Sequence, residues 1–126
     1  MSTRSCTLEN RFGDKDNSSP PTDSELLLAA SEVLNEAALM TQYAQLSEDD
    51  LAEHPNAWLD SGVEDGEVEI LDLYRGGRLE FVRYADGEMT EELFKASLTN
   101  VTVPQAVALW QALRDGRVEE VEAAFR

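Results

Sequence analysis

The sequence predicts an α+β domain. A small two-stranded antiparallel hairpin, open to extension into a larger sheet, is packed by about four to five helices behind a disordered N-terminal tail. Three observations carry this expectation. Apolar residues recur at three- and four-residue steps behind capping patterns at Thr22, Ser47, Thr90 and Thr102. Two strand-like runs flank Gly76-Gly77. The first 22 residues collect Gly13, Asn17, Ser18, Ser19, Pro20 and Pro21 and offer little apolar area to offset ordering entropy. The expected organisation is a tail at 1–22 and a single acidic α+β domain at 23–126, one domain by length.

Order is expected to begin at Thr22-Asp23-Ser24-Glu25, a Thr-x-x-Glu capping box. The helix it opens spans about Ser24 to Leu46, with Leu26, Ala30, Val33, Ala37, Met40 and Ala44 on one stripe. Glu25, Glu32 and Glu36 form its wet edge. Ser47 caps a second, short helix whose first turn holds Glu48, Asp49 and Asp50, where the dipole favours anions. Leu46 and Leu51 are placed as a hydrophobic staple, and Pro55 stops the helix near His54. A loop with Trp58, Gly62 and Gly66 follows.

Glu67–Arg75 and Arg78–Asp86 read as strands joined by Gly76-Gly77 as a two-residue turn. That turn sets Tyr74 opposite Leu79, Asp72 opposite Phe81 and Leu71 opposite Val82. Met89 and Thr90 then predict a short helix with Phe94, ending before Asn100. Thr102-Val103-Pro104-Gln105 opens a helix that buries Val107, Leu109, Trp110 and Leu113. Asp115-Gly116 breaks it, and Arg117–Phe125 forms a last short helix.

Charge is the strongest signal. The chain of 126 residues carries a formal net charge of -16. No lysine or arginine lies between Lys15 and Arg75, a stretch crowded with aspartate and glutamate. The tail's three bases and three acids cancel, so the domain holds 23 of the 26 acids and 7 of the 10 bases. Duplex DNA presents about 16–18 charges over the roughly 30 Å width of such a domain. This balance opposes direct binding of nucleic acid or an anionic membrane, both of which reward a basic face. Met1–Asn10 has no apolar stretch and no run approaches a membrane span, so a soluble, cytoplasmic protein is expected.

Catalytic and metal patterns are weak. Cys6 is the sole cysteine, which excludes a disulfide framework and a cysteine zinc site. His54 is the sole histidine and fits a helix C-terminus, where the negative dipole end favours a cation. Asp60, Glu64, Asp65, Glu67 and Glu69 resemble a cation loop, but the EF-hand order fails because Gly62 holds the third position. Arg75-Gly76-Gly77-Arg78 suits a hairpin turn better than an RNA-binding array. The final two helices mimic a helix-turn-helix outline whose Glu119, Glu120 and Glu122 would meet phosphates.

These features predict a non-enzymatic acidic protein-binding domain, without cofactor or metal, that docks on a basic protein surface. A nucleic-acid-mimicking inhibitor or a toxin-neutralising immunity protein fits that description. The expected contacts are Glu48, Asp49, Asp50, Glu53, Asp60, Glu64 and Asp65, with Trp58 as the aromatic anchor. Arg75, Arg78 and Arg83 are a secondary basic spot that would orient the partner. Trp110 belongs to the core stripe. The competing readings are an assembly subunit acting through apolar surface, such as a homodimer, and a domain regulated by a divalent metal.

Overall fold

The computed structural model describes residues 4–12, 15–16, 20–42, 45–63 and 66–126. The α+β class holds, but the sheet is much larger than a hairpin. In chain order the elements are β1 (Arg4–Glu9), β2 (Lys15–Asp16), α1 (Asp23–Leu34), α2 (Glu36–Gln42), α3 (Glu48–Glu53), β3 (Asn56–Val63), β4 (Val68–Tyr74), β5 (Arg78–Tyr84), β6 (Glu92–Leu98), α4 (Val103–Arg114) and α5 (Val118–Ala124). Five full strands and the two-residue β2 form one antiparallel sheet in the order β2-β1-β3-β4-β5-β6.

The helix starts follow local chemistry. Thr22, Ser47 and Thr102 each accept from the third helical N–H while Glu25, Asp50 or Gln105 reaches back to the cap. Asp50 is held below the usual carboxylate range by its hydrogen bonds to the Ser47 backbone and hydroxyl. Pro104 sits in the first turn of α4, where its missing N–H costs nothing.

Two stretches of the expected disordered tail, Arg4–Glu9 and Lys15–Asp16, are instead strands of the sheet. Leu8 pairs with Leu59 and Cys6 with Ser61, so β1 completes the ladder of β3. Its alternate residues Cys6 and Leu8 pack onto the core. Beyond it, Arg11 is buried at 2% exposure. Its guanidinium donates to the carbonyls of Glu32 (2.7 Å), Leu51 (3.0 Å) and His54 (2.7 Å) and to the Glu36 carboxylate (2.8 Å). Neither α1 nor α3 has a basic residue in its own last turn. Arg11 supplies the cation for both C-termini from outside.

The same contact divides the expected long first helix. An unbroken helix would give the Glu32 carbonyl to the Glu36 N–H. Arg11 takes that carbonyl, and Asn35 leaves helical geometry at ψ 59°. The Glu36 carboxylate then bridges two arginines, since Arg75 binds its other oxygen at 3.1 Å and Glu48 at 2.7 Å.

The hairpin is real but its register is shifted by one. Arg75-Gly76-Gly77 forms a three-residue turn, and Tyr74 pairs with Arg78, Leu73 with Leu79 and Leu71 with Phe81. A two-residue turn would mix core-facing and outward residues, because a one-residue slip inverts the faces. Gly76 and Gly77 both have positive φ, 88° and 91°. Gly77 also meets backbone: a Cβ there would lie 3.3 Å from the Val101 N and O atoms.

The helix expected at Thr90 is the edge strand β6. Asp86 accepts from both the Thr90 N–H and its hydroxyl, which holds residues 86–90 in a turn that leads into the strand. Phe94, Ala96 and Leu98 then alternate toward Phe81 and Leu79, with the Phe81 and Phe94 rings 5.9 Å apart.

All helices that pack on the sheet do so on one face. There α1 packs against α4, and both cover β3 and β4. Leu26, Ala30, Val33, Leu59, Leu71, Leu73, Leu79, Phe81, Trp110, Leu113 and Val121 form the core. Trp110 is fully buried and its indole N–H donates to the Leu71 carbonyl at 3.1 Å. No helix among the described residues is long and apolar enough to cross a membrane.

Candidate functional site

Residue parity assigns every strand position to a face. Leu59, Leu71, Leu73, Leu79 and Phe81 point to the helices. Their neighbours therefore point the other way, onto a face that contributes nothing to the core cluster. Cross-strand pairing arranges that face in rows. One row runs Lys15, Glu9, Trp58, Asp72, Glu80, Ser97. The next runs Thr7, Asp60, Ile70, Val82, Lys95. Val82 is 6% exposed yet lies outside the core cluster.

Trp58 is thus in a strand, not in the expected loop. Its cross-strand neighbours are Glu9 and Asp72, and Asp60 follows two residues along the same face. Three carboxylates ring a half-buried indole. None of the cation–ring contacts among the described residues involves that indole. The acids of this face are Glu9, Asp60, Asp72, Glu80 and Glu92, against Lys15, Arg78 and Lys95.

At the hairpin end the polar groups interlock. Asn56 donates to Asp72 at 2.7 Å, and the Tyr74 hydroxyl also bonds Asp72. Burial pushes the Asp72 carboxyl above its usual range, against the opposing pull of the Asn56 and Tyr74 hydrogen bonds. Burial, followed by the bond to Asp72, pushes the Tyr74 hydroxyl up to about 12. The Arg78 guanidinium lies over the Tyr74 ring, 4.2 Å from its centroid, and pairs with Glu80 at 3.8 Å.

The other expected contacts are dispersed. Glu48, Asp49, Asp50 and Glu53 sit on α3, which leads through His54 and Pro55 into Asn56. Glu48 is committed to Arg75 and Asp50 to its cap, while Asp49 and Glu53 are exposed. Glu64 and Asp65 lie outside the described residues. The three arginines of the expected basic spot do not gather. Arg75 closes the hairpin against Glu36 and Glu48, Arg78 is on the helix-free face, and Arg83 is on the helix side. Arg83 binds Glu67 at 2.6 Å and Glu122 at 3.1 Å.

The acidic loop read as a cation site is split in the same way: Asp60 is on the open face and Glu69, fully buried, on the helix side. Among the described residues no group of three or more His, Cys, Asp or Glu is placed to hold a metal ion. His54 is the exposed C-cap of α3, its ring tilted against Phe12 at 5.9 Å.

A cleft of about 480 Å³ lies at the far end of the sheet, lined by Glu67, Glu69, Arg83, Arg117, Glu119 and Glu120. Its single large apolar lining residue is Val118, whereas the open sheet face offers Trp58, Ile70 and Tyr84. Aromatic and aliphatic anchors distinguish a protein-docking surface from a merely charged one. Glu9, Asp72 and Glu80 escaped the sequence reading because face membership depends on the register. The signal was the parity they share with Trp58 once β1, β4 and β5 are aligned. Comparison with family models, with curated proteins and with solved structures returns no match for this chain.

Proposed function

We propose that this protein is a non-enzymatic binding domain whose helix-free sheet face docks on a basic protein surface. The observation that supports this most is Trp58 set among Glu9, Asp60 and Asp72 on an uncovered sheet. An indole gives large rigid contact area at low entropy cost, and surrounding carboxylates select a cationic partner. The net charge of -16 steers such a partner from a distance. Asp49 and Glu53 extend the acidic field beside the sheet. The finer reading is an inhibitor that occupies a cationic site otherwise held by nucleic acid, or an immunity protein against a basic toxin.

The test is affinity capture from the source lysate with two proteins side by side: the wild type, and a variant carrying Trp58→Ala, Asp60→Asn and Asp72→Asn. A basic protein retained by the wild type, released by moderate salt and lost by the variant is the expected result. A partner that the variant keeps, or that high salt does not release, overturns the proposal. A salt-insensitive self-association in light scattering would favour the assembly reading instead.

A further inference from the structure

We infer that the open sheet face is selective for arginine over lysine, with Trp58 as the platform on which a partner's guanidinium stacks. This rests on the proposed docking function and deepens it by naming the side chain recognised. The argument begins with what the fold does with its own arginine. Arg78 stacks on the Tyr74 ring at 4.2 Å and meets Glu80 at its edge, at 3.8 Å. The ring contact uses a property a lysine lacks, a flat delocalised cation, while Glu80 adds one longer ion-pair contact; the donor fork of a guanidinium is free to engage a closer carboxylate.

The adjoining row of the same face repeats the ingredients. Trp58 supplies the best aromatic surface for a cation. Glu9 and Asp72 flank it across the neighbouring strands, at the edges where the donor fork of a stacked guanidinium would emerge. Lys15 stands opposite Glu9 at the end of this row, and none of the cation–ring contacts among the described residues involves Trp58. Charge complementarity therefore commits the face to an arginine-presenting protein segment. A lysine ammonium would gain the shared Coulomb attraction but not the stacked, forked geometry. Nucleic acid, being anionic, is repelled by the same carboxylates.

Hexa-arginine and hexa-lysine peptides separate the possibilities. They are titrated at low salt into the full chain and into Trp58→Leu, with folding checked by circular dichroism. Affinities for both proteins are read by titration calorimetry, and in the wild type Trp58 fluorescence reports as well, because Trp110 is sealed in the core. The expected result is tighter binding of hexa-arginine by roughly two- to fivefold per stacked side chain. In Trp58→Leu the preference should vanish, leaving an equal, salt-sensitive affinity for both peptides. Equal binding by the wild type, or a preference that survives in Trp58→Leu, overturns the inference and leaves the acidic docking face standing. Failure of both peptides to bind the wild type at low salt overturns the docking proposal itself.

Discussion

Arg11→Ala is expected to destabilise the fold more than any surface change, though the residue belongs to a segment whose composition reads as disordered. Its guanidinium is fully enclosed and satisfies three main-chain carbonyls and one carboxylate. Truncation orphans the carbonyls of Glu32, Leu51 and His54. Each buried orphan costs about 1–3 kcal/mol, with the lower end appropriate where water can enter the space left behind. Glu36 keeps Arg75, so its carboxylate is not stranded. The total is about 3–4 kcal/mol, within the range of roughly 3–5 kcal/mol for breaking a buried charged pair. For a chain of 126 residues this lowers Tm by about 11–15 °C. In urea the midpoint should fall by roughly 1.5–2 M with m unchanged. Arg11→Lys should recover part of the loss, since an ammonium keeps the charge but cannot reach all four acceptors. Arg126→Ala is the control, because its pair with Glu122 is 67% exposed on the arginine side and should stay within about 0.5 kcal/mol of wild type. A loss below about 1 kcal/mol for Arg11→Ala would refute the view that this arginine caps two helices.

Two further predictions test the hairpin. Gly77→Ala meets both a positive φ and the Val101 backbone, whereas Gly76→Ala meets positive φ in open space. Gly76→Ala should therefore cost about 1–2 kcal/mol and Gly77→Ala more, measured by urea unfolding; equal losses would contradict the close approach of Val101. The Tyr74 hydroxyl is raised from 10.0 to about 12, so the folded state holds a proton that the unfolded state has released. Stability should accordingly fall as pH rises from 10 through about 12, and Tyr74→Phe should flatten that fall. Difference absorbance of wild type against Tyr74→Phe should titrate near 12; a midpoint near 10 would mean the hydroxyl is neither shielded by burial nor held by Asp72.

Helix starts were legible because capping is chemistry over four residues: Thr22, Ser47 and Thr102 each carry their partner three positions on. Strand pairing is not local. Nothing near Leu8 says that its partner is Leu59. The edge strand was visible in the alternation of Phe94, Ala96 and Leu98, but the Thr90 pattern suggested a helix, where a turn held by Asp86 leads into the strand. The register failed on one residue, Arg75, which joins the turn and shifts every pair by one place. At the site, Trp58 and Asp60 stood out by type. Glu9 was assigned to the tail and Asp72 to a pair with Phe81. Their meeting around one indole exists only after three strands are aligned.

The insertion of β1 between β2 and β3 also bears on how the protein can be shortened. A chain trimmed to begin at Thr22 would keep every helix and every capping box. Its sheet, however, would begin at β3, an eight-residue strand with bare main-chain donors and acceptors along one side. Leu59 would lose the cover of Leu8, and the ends of α1 and α3 would lose Arg11. An open edge of that length with apolar residues recruits strands from other molecules. The segment that looks most dispensable is the one that covers β3 from Trp58 to Val63.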